Sequence, residues 1–189
     1  MPHLSPTVSI MSLYTQSKKT LSIKELALFA MLGTIMFTSK IIMEVLPNVH
    51  LLASLTMTYT VVFRKKALIP IYVFVILTGL WFGFATWWLP YLYIWTVLWG
   101  ITMLLPRNMP QKCAVIVYPL VCSLHGLAYG TLYAPAQALL FGLDFKGMLL
   151  WIVAGFPWDI VQALGNIVAG LIIFPLSEAL SKLQKNIYD

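Results

Sequence analysis

The stretch SIKELALFAMLGTIMFTSKIIMEV, residues 22–45, decides the fold class of this chain. Ser22 stands three residues before Glu25, which is the capping-box spacing that starts a helix. No charged residue then follows until Lys40. A lipid bilayer is crossed by about 20 predominantly apolar helical residues. We therefore predict a membrane-spanning helix over residues 22–45.

The composition of the whole chain extends this prediction. Of its 189 residues, 60% are hydrophobic and 10% are charged, whereas soluble domains are about a quarter charged. We predict an all-α integral membrane bundle of six transmembrane helices over residues 21–189, preceded by a flexible cytoplasmic tail over residues 1–20. The five further helices are expected over residues 51–63, 67–84, 89–105, 113–133 and 148–180, with a loop over 134–146 and kinks near Pro157 and Pro175.

Basic residues are distributed unevenly along the chain, whose formal net charge is +6. If the chain crosses the membrane six times, one side carries every lysine and arginine except Lys40 and Lys146. Cytoplasmic segments of membrane proteins carry an excess of lysine and arginine. Both termini are therefore predicted to be cytoplasmic, and no nucleic-acid partner is expected.

The segment GFPWDIVQALGN, residues 155–166, places three polar side chains on one face of the last predicted helix. Asp159, Gln162 and Asn166 follow the spacing i, i+3, i+7, which keeps them within about 60° of one another. A carboxylate inside a bilayer is costly unless it is paired or hydrated, so its default meaning is functional. The alternative is a polar cluster that holds neighbouring helices together.

Aromatic side chains mark one face of the fourth predicted helix and of the fifth. Trp88, Tyr91 and Trp95 suit stacking against a flat organic ligand, with an interfacial belt or ordinary core packing as alternatives. Tyr129 shares a face of the fifth helix with His125, which either contacts a ligand or bonds to a neighbouring helix.

The connection after the first helix contains a second group of polar residues. Lys40 and Glu44 have the spacing of an i, i+4 ion pair, and Asn48 and His50 follow them. Together they are candidates for one wall or lid of an outward-facing pocket. The alternative is a solvated loop with a surface ion pair.

Small residues on the first helix form a smooth face that another helix can approach closely: Ala27, Ala30 and Thr34. Internal packing is the alternative. The sequence contains no GxxxxGK[ST] phosphate loop, no HExxH motif and no GxSxG motif. We therefore predict no catalytic residue and no metal site, and we do not expect the chain to be an enzyme.

Taken together, these features resemble the S component of an energy-coupling factor (ECF) vitamin transporter. The resemblance is carried by LALFAMLGTIMFTSKIIMEVLPNVHL at residues 26–51, by RKKALIPIYVF at 64–74 and by GFPWDIVQALGN at 155–166. The last stretch is similar to an Asp-x-x-His/Gln-x-x-x-Asn pattern of that family.

The resemblance implies a substrate-binding subunit that works with a transmembrane coupling subunit and two cytoplasmic ATPase subunits, which hydrolyse the ATP. It also implies that the coupling subunit contacts Ala27, Ala30 and Thr34. The family's Ala-x-x-x-Ala motif is imperfect here, because Met31 follows Ala27 at i+4.

The stretches LPNVHL, residues 46–51, and WWLPYLYIW, residues 87–95, look most like the cobalamin-specific branch. Cobalamin would then be the transported substrate and not a cofactor. Riboflavin or another flat vitamin remains an alternative substrate. A stand-alone proton-coupled carrier using Asp159 and a non-transport membrane scaffold remain alternative functions. The substrate-binding residues expected from the resemblance and the stripes are Asn48, His50, Trp88, Tyr91, Trp95, Tyr129, Asp159, Gln162 and Asn166.

Overall fold

The computed structural model describes residues 21–188, so the predicted cytoplasmic tail, residues 1–20, lies outside the described part of the chain. Helices make up 84% of the described residues, which contain no strand. Two short 3-10 turns lead from the second helix to the third and from the third to the fourth. The eight α-helices in chain order are α1 Ile23–Met43, α2 Leu52–Phe63, α3 Leu68–Phe82, α4 Tyr91–Leu104, α5 Gln111–Leu127, α6 Tyr129–Phe141, α7 Phe145–Gly170 and α8 Ile173–Tyr188.

Three helical stretches are long and apolar enough to cross a lipid bilayer. Large apolar side chains remain exposed on each of them, including Met31, Leu120 and Val153. An exposed apolar surface of this extent favours contact with lipid over contact with water. The stretches are Ile23–Met43, which is α1, Gln111–Phe141, which is α5 followed by α6, and Phe145–Gly170, which is α7.

Helix α2 forms the centre of the bundle. Every residue from Leu52 to Thr60 is buried. The 12 residues of this helix rise only about 18 Å, less than the roughly 30 Å of a bilayer hydrocarbon core. Thr58 satisfies its hydroxyl by donating to the carbonyl of Ser54, at 2.8 Å. The helix predicted over residues 51–63 is confirmed, and it serves as a core element surrounded by other helices.

Helices α5 and α7 pack closely because glycines stand where they meet. A Cβ at residue 126 of α5 would lie 2.7 Å from Nδ2 of Asn166. A Cβ at residue 170 of α7 would lie 2.5 Å from the Cα of Pro119. Larger side chains at these two positions would push the helices apart, which would also move the polar face of α7 away from α5.

The loop predicted over residues 134–146 is mostly helical. Helix α6 continues through Pro135 and ends at Phe141, and Gly142, with a positive φ of 66°, provides a left-handed cap. Asp144 then starts α7 by accepting the N–H of Gly147, at 2.7 Å. The glycine cap and the aspartate cap leave room for only a short connection. The predicted helix over residues 113–133 is also interrupted, since α5 ends before a turn at Ala128.

The single helix predicted over residues 148–180 is wrong at its far end. The chain breaks at Leu171 and Ile172, between α7 and α8, and not at a proline. Helix α7 continues through Pro157. Pro175 lies in the first turn of α8, where a backbone N–H has no partner within the helix. Because proline lacks only this N–H, Pro175 removes no helical hydrogen bond.

The start of α1 and the ends of α2 and α4 meet at one end of the bundle, which we call the basic end. Glu25, whose side chain completes the predicted capping box with Ser22, also forms a salt bridge with Lys66. Arg64 donates a hydrogen bond to the carbonyl of Met103 at 2.6 Å. Two of the basic side chains that follow α2 therefore hold neighbouring helices together.

The predicted ion pair between Lys40 and Glu44 is not formed. Within residues 21–188 the salt bridge present joins Lys66 and Glu25. The Lys40 ammonium instead lies 4.5 Å from the centroid of the Phe82 ring, in cation–π geometry. This contact ties the end of α1 to the end of α3.

Candidate functional site

Two adjoining cavities lie at the end of the bundle opposite to the basic end. The α1–α2 cavity has a volume of about 190 Å³, and the α6–α7 cavity has a volume of about 370 Å³. Asn48, Tyr129 and Gln162 line both and form their shared wall. Each cavity also has polar and aromatic side chains that the other lacks. In the α1–α2 cavity these are Lys40, Glu44, His50 and Tyr91, and in the α6–α7 cavity they are Tyr133, Gln137, Trp151, Trp158 and Asp159.

Asp159 connects α7 to the start of α6. Its two carboxylate oxygens accept the N–H of Gly130, at 3.0 and 3.1 Å. Gly130 is the second residue of α6, where backbone N–H groups lack a partner within the helix and where the helix dipole favours a negative charge. Asp159 therefore acts as a helix cap supplied by another helix, and it also lines the α6–α7 cavity.

Asn166, about two helical turns beyond Asp159 on α7, holds α7 to α5. Its Nδ2 donates to the carbonyl of Cys122 at 3.0 Å, and both residues are buried. Asn166 lines neither cavity. The role that the structure gives it is a polar bond between two helices.

Gln162 differs from its two neighbours on the polar face of α7. Its side chain is 3% exposed, and its Nε2 has no hydrogen-bond partner among the described residues. Leaving a buried donor unpaired costs about 1–3 kcal/mol, so such groups are uncommon in protein interiors. Gln162 also lies in the wall that the two cavities share, which makes its amide a candidate donor to a ligand.

Trp95 is the centre of an aromatic cluster behind the α1–α2 cavity. The ring is fully buried. Its centroid lies 5.8 Å from that of Tyr91 and 6.1 Å from that of Tyr129, the two tyrosine rings that line the cavity. Phe74, His50 and His125 surround it at 5.9–6.1 Å. Trp95 therefore supports the cavity wall from behind.

Two histidines add polar groups to this cluster. Nε2 of His125 lies 3.3 Å from the carbonyl of Ile94, which makes it the donor and leaves Nδ1 as an acceptor without a partner in the described chain. Nδ1 of His50, in the connection between α1 and α2, also lacks one. Burial lowers the pKa of His50 to about 4, because it disfavours the charged imidazolium. His50 is therefore neutral at neutral pH and lines the α1–α2 cavity without adding charge.

Six of the nine predicted substrate-binding residues line the cavities: Asn48, His50, Tyr91, Tyr129, Asp159 and Gln162. Trp95 and Asn166 lie behind them. Trp88 is placed elsewhere, because its Nε1 donates to the carbonyl of Val75 at 2.8 Å and its ring packs against Phe84 at 4.9 Å. The structure thus gives Trp88 a packing role at the 3-10 turn before α4.

The prediction did not include several aromatic residues of the α6–α7 cavity. Tyr133 and Trp151 stack with centroids 5.7 Å apart and an interplanar angle of 17°. Trp158 is more than half exposed beside them. A signal for these residues is present in the sequence, because positions 151, 155, 158 and 162 follow one helical stripe that ends at Gln162.

The small face of α1 lies away from both cavities. Ala27, Ala30 and Thr34 are all exposed, and the Thr34 hydroxyl donates to the carbonyl of Ala30 at 2.9 Å. The opposite side of α1 packs on α3, where a Cβ at Gly33 would meet Val73. Internal packing among residues 21–188 therefore does not account for the small residues, whose face the described part of the chain leaves uncovered.

The cavities combine stacking surfaces with hydrogen-bonding groups, an arrangement that favours non-covalent binding of a small molecule. In the described range, 21–188, no three His, Cys, Asp or Glu side chains are grouped so as to hold a metal ion. Comparison of the chain with models of known protein families, with curated protein sequences and with solved structures found no match.

Proposed function

We propose that the chain crosses the cell membrane six times, with α2 as a short crossing buried among the other helices and with both termini in the cytoplasm. The exposed apolar surfaces of α1, α5 and α7 support membrane placement. The basic end carries the Arg64–Lys66 turn, and Arg107 and Lys182 line a single cavity there. Because cytoplasmic surfaces are enriched in lysine and arginine, this end faces the cytoplasm. The cavities around Gln162 then face the outside.

We propose further that the chain is the substrate-binding S component of an ECF-type vitamin transporter. The observation that carries this proposal is Gln162, a buried amide donor with no partner in the described chain, placed between two cavities with aromatic walls. A transmembrane coupling subunit and two cytoplasmic ATPase subunits supply the energy. The uncovered face of Ala27, Ala30 and Thr34 is the surface proposed to contact the coupling subunit.

Cobalamin is the first substrate to test, and riboflavin is the alternative. Pockets for drug-sized ligands have volumes of roughly 300–1,000 Å³, and the α6–α7 cavity of about 370 Å³ is within that range. A flat vitamin such as riboflavin matches this size. A corrinoid is larger and requires the two cavities to merge by movement of their shared wall. Absorbance and mass of the molecule that co-purifies with the chain distinguish the two.

Replacing Gln162 with leucine is expected to weaken ligand binding at least tenfold without loss of stability. Leucine keeps the approximate volume but removes a donor that the ligand would pair with, and tenfold corresponds to about 1.4 kcal/mol. No partner in the described chain loses a hydrogen bond to Nε2, so the midpoint of thermal unfolding should stay constant or rise. Isothermal titration of the purified chain with riboflavin and with cobalamin measures the affinity.

The matched control is Gln111→Leu, at the exposed start of α5 and outside both cavities. It should leave the affinity within about twofold. Equal affinities for the Gln162→Leu and unmodified chains would remove the main support for a ligand site here.

The transporter class is tested by affinity purification of the tagged chain from its own cell membranes. An S component should bring down a coupling subunit and two ATPases, and Ala30→Trp should reduce that yield by blocking the small face. Uptake driven by a proton gradient in liposomes that contain only this chain would contradict the proposal. That outcome would favour the carrier that uses Asp159.

A further inference from the structure

A third cavity, larger than the two beside Gln162, lies at the basic end of the bundle. Its volume is about 420 Å³, and it lies between the end of α2, the connection from α4 to α5, and α8. Tyr118 and Ser177 are buried in its wall, and Ser181 adds another hydroxyl group. Helix α8 contributes most of the remaining polar side chains.

Positive charge predominates in this basic-end cavity. Arg107, Lys182 and Lys185 line it, and Glu178 is the only acidic residue among its lining side chains. No salt bridge joins Glu178 to any of the three within residues 21–188. The cavity therefore carries an excess of positive charge that the described part of the chain does not neutralise.

Apolar side chains lie beside this charge. Val61, Val62, Met109 and Phe174 line the same cavity. Contact with an apolar surface does not stabilise a free inorganic anion, whereas a phospholipid carries glycerol and acyl carbons next to its phosphate. Basic pockets between membrane helices on the cytoplasmic side are suited to anionic lipid headgroups.

We propose that the basic-end cavity binds a phosphate group and that its source is the headgroup of an anionic phospholipid. Arg107, Lys182 and Lys185 pair with the phosphate, and the side chains of Val62 and Phe174 contact the adjoining carbons. This inference rests on the proposed membrane placement, with the basic end at the cytoplasmic surface. It does not depend on which vitamin the opposite end binds.

The test is native mass spectrometry of the delipidated chain in detergent, titrated with phosphatidylglycerol or phosphatidylcholine. We expect saturable binding of phosphatidylglycerol, and at least tenfold weaker binding by the triple variant Arg107→Gln, Lys182→Gln, Lys185→Gln. The matched control is the triple variant Lys24→Gln, Lys65→Gln, Lys112→Gln, which removes the same charge from the basic end without touching the cavity. It should change the affinity less than twofold.

Equal losses in the two triple variants, or equal binding of phosphatidylcholine, would overturn the site. Inorganic phosphate is the third probe, and displacement of the lipid by inorganic phosphate at similar concentration would overturn the lipid as the source. Vitamin binding is measured on the same preparations. If the chain binds phosphatidylglycerol but no vitamin, the result counts against the proposed function alone. If it binds a vitamin but no phosphatidylglycerol, the result counts against the lipid site alone.

Discussion

Replacing Trp95 with alanine is expected to lower the free energy of unfolding by about 3–5 kcal/mol, the range for large-to-small changes at buried aromatic positions. Trp95 is fully buried and touches five aromatic or imidazole rings contributed by α3, α4, α5, α6 and the α1–α2 connection. Its removal leaves a void that these rings cannot all collapse into. For a chain of this size the midpoint of thermal unfolding in detergent should fall by roughly 10 °C.

Two comparison variants sharpen this test. Trp81→Ala removes a tryptophan that is 68% exposed on α3, so it should cost far less. Trp95→Phe keeps a ring in the cluster and removes an indole N–H that has no partner in the described residues. Its loss of stability should therefore lie between those of Trp81→Ala and Trp95→Ala. Equal unfolding midpoints for Trp95→Ala and Trp81→Ala would show that the cluster does not hold the helices together. Because Tyr91 and Tyr129 rest on Trp95, its loss should weaken ligand binding as well.

Gly130→Ala is expected to destabilise the chain by about 2–4 kcal/mol, from overpacking and from a weakened hydrogen bond to the carboxylate. The new methyl group would occupy the space of the Asp159 carboxylate, so either α6 moves or the carboxylate turns away. The same change at Gly100 of α4 meets open space and should stabilise by about 0.5–1 kcal/mol, because alanine favours the helix. Thermal unfolding of both variants in detergent provides the comparison.

A double-mutant cycle tests whether the carboxylate is the cause. In an Asp159→Ala background the methyl group at residue 130 has room, so Gly130→Ala should then cost less than about 1 kcal/mol. An unchanged cost in that background would mean that the strain at residue 130 comes from another neighbour. It would also remove the helix-capping role assigned to Asp159.

The polar face of α7 shows how much of the candidate site can be predicted from helical periodicity. The spacing of Asp159, Gln162 and Asn166 predicts correctly that the three share a face, and all three are buried. From the spacing alone, ligand binding and helix-to-helix bonding are alternatives for all three residues. The structure separates its members, since Asp159 bonds to Gly130, Asn166 bonds to Cys122, and Nε2 of Gln162 is left without a partner in the described chain.

Helical spacing also predicts an aromatic face on α4, but the structure confirms this face only in part. Helical spacing places Trp88, Tyr91 and Trp95 together, but Trp88 lies in a 3-10 turn before the helix begins. Its indole N–H donates a hydrogen bond to the carbonyl of Val75 in α3. A partner on another helix is a long-range contact that local spacing does not contain.

By itself, the sequence determined the all-helical class, the long apolar stretches and the uneven placement of basic residues. These follow from composition and from local periodicity, because each residue's preference for lipid, water or helix acts within a few neighbours. Only the tertiary structure decided which polar groups pair, where α7 and α8 separate, and that two cavities meet at Gln162. Those outcomes depend on how close helices approach, which is set at positions such as Gly126, Gly130 and Gly170 by contacts between residues far apart in the chain.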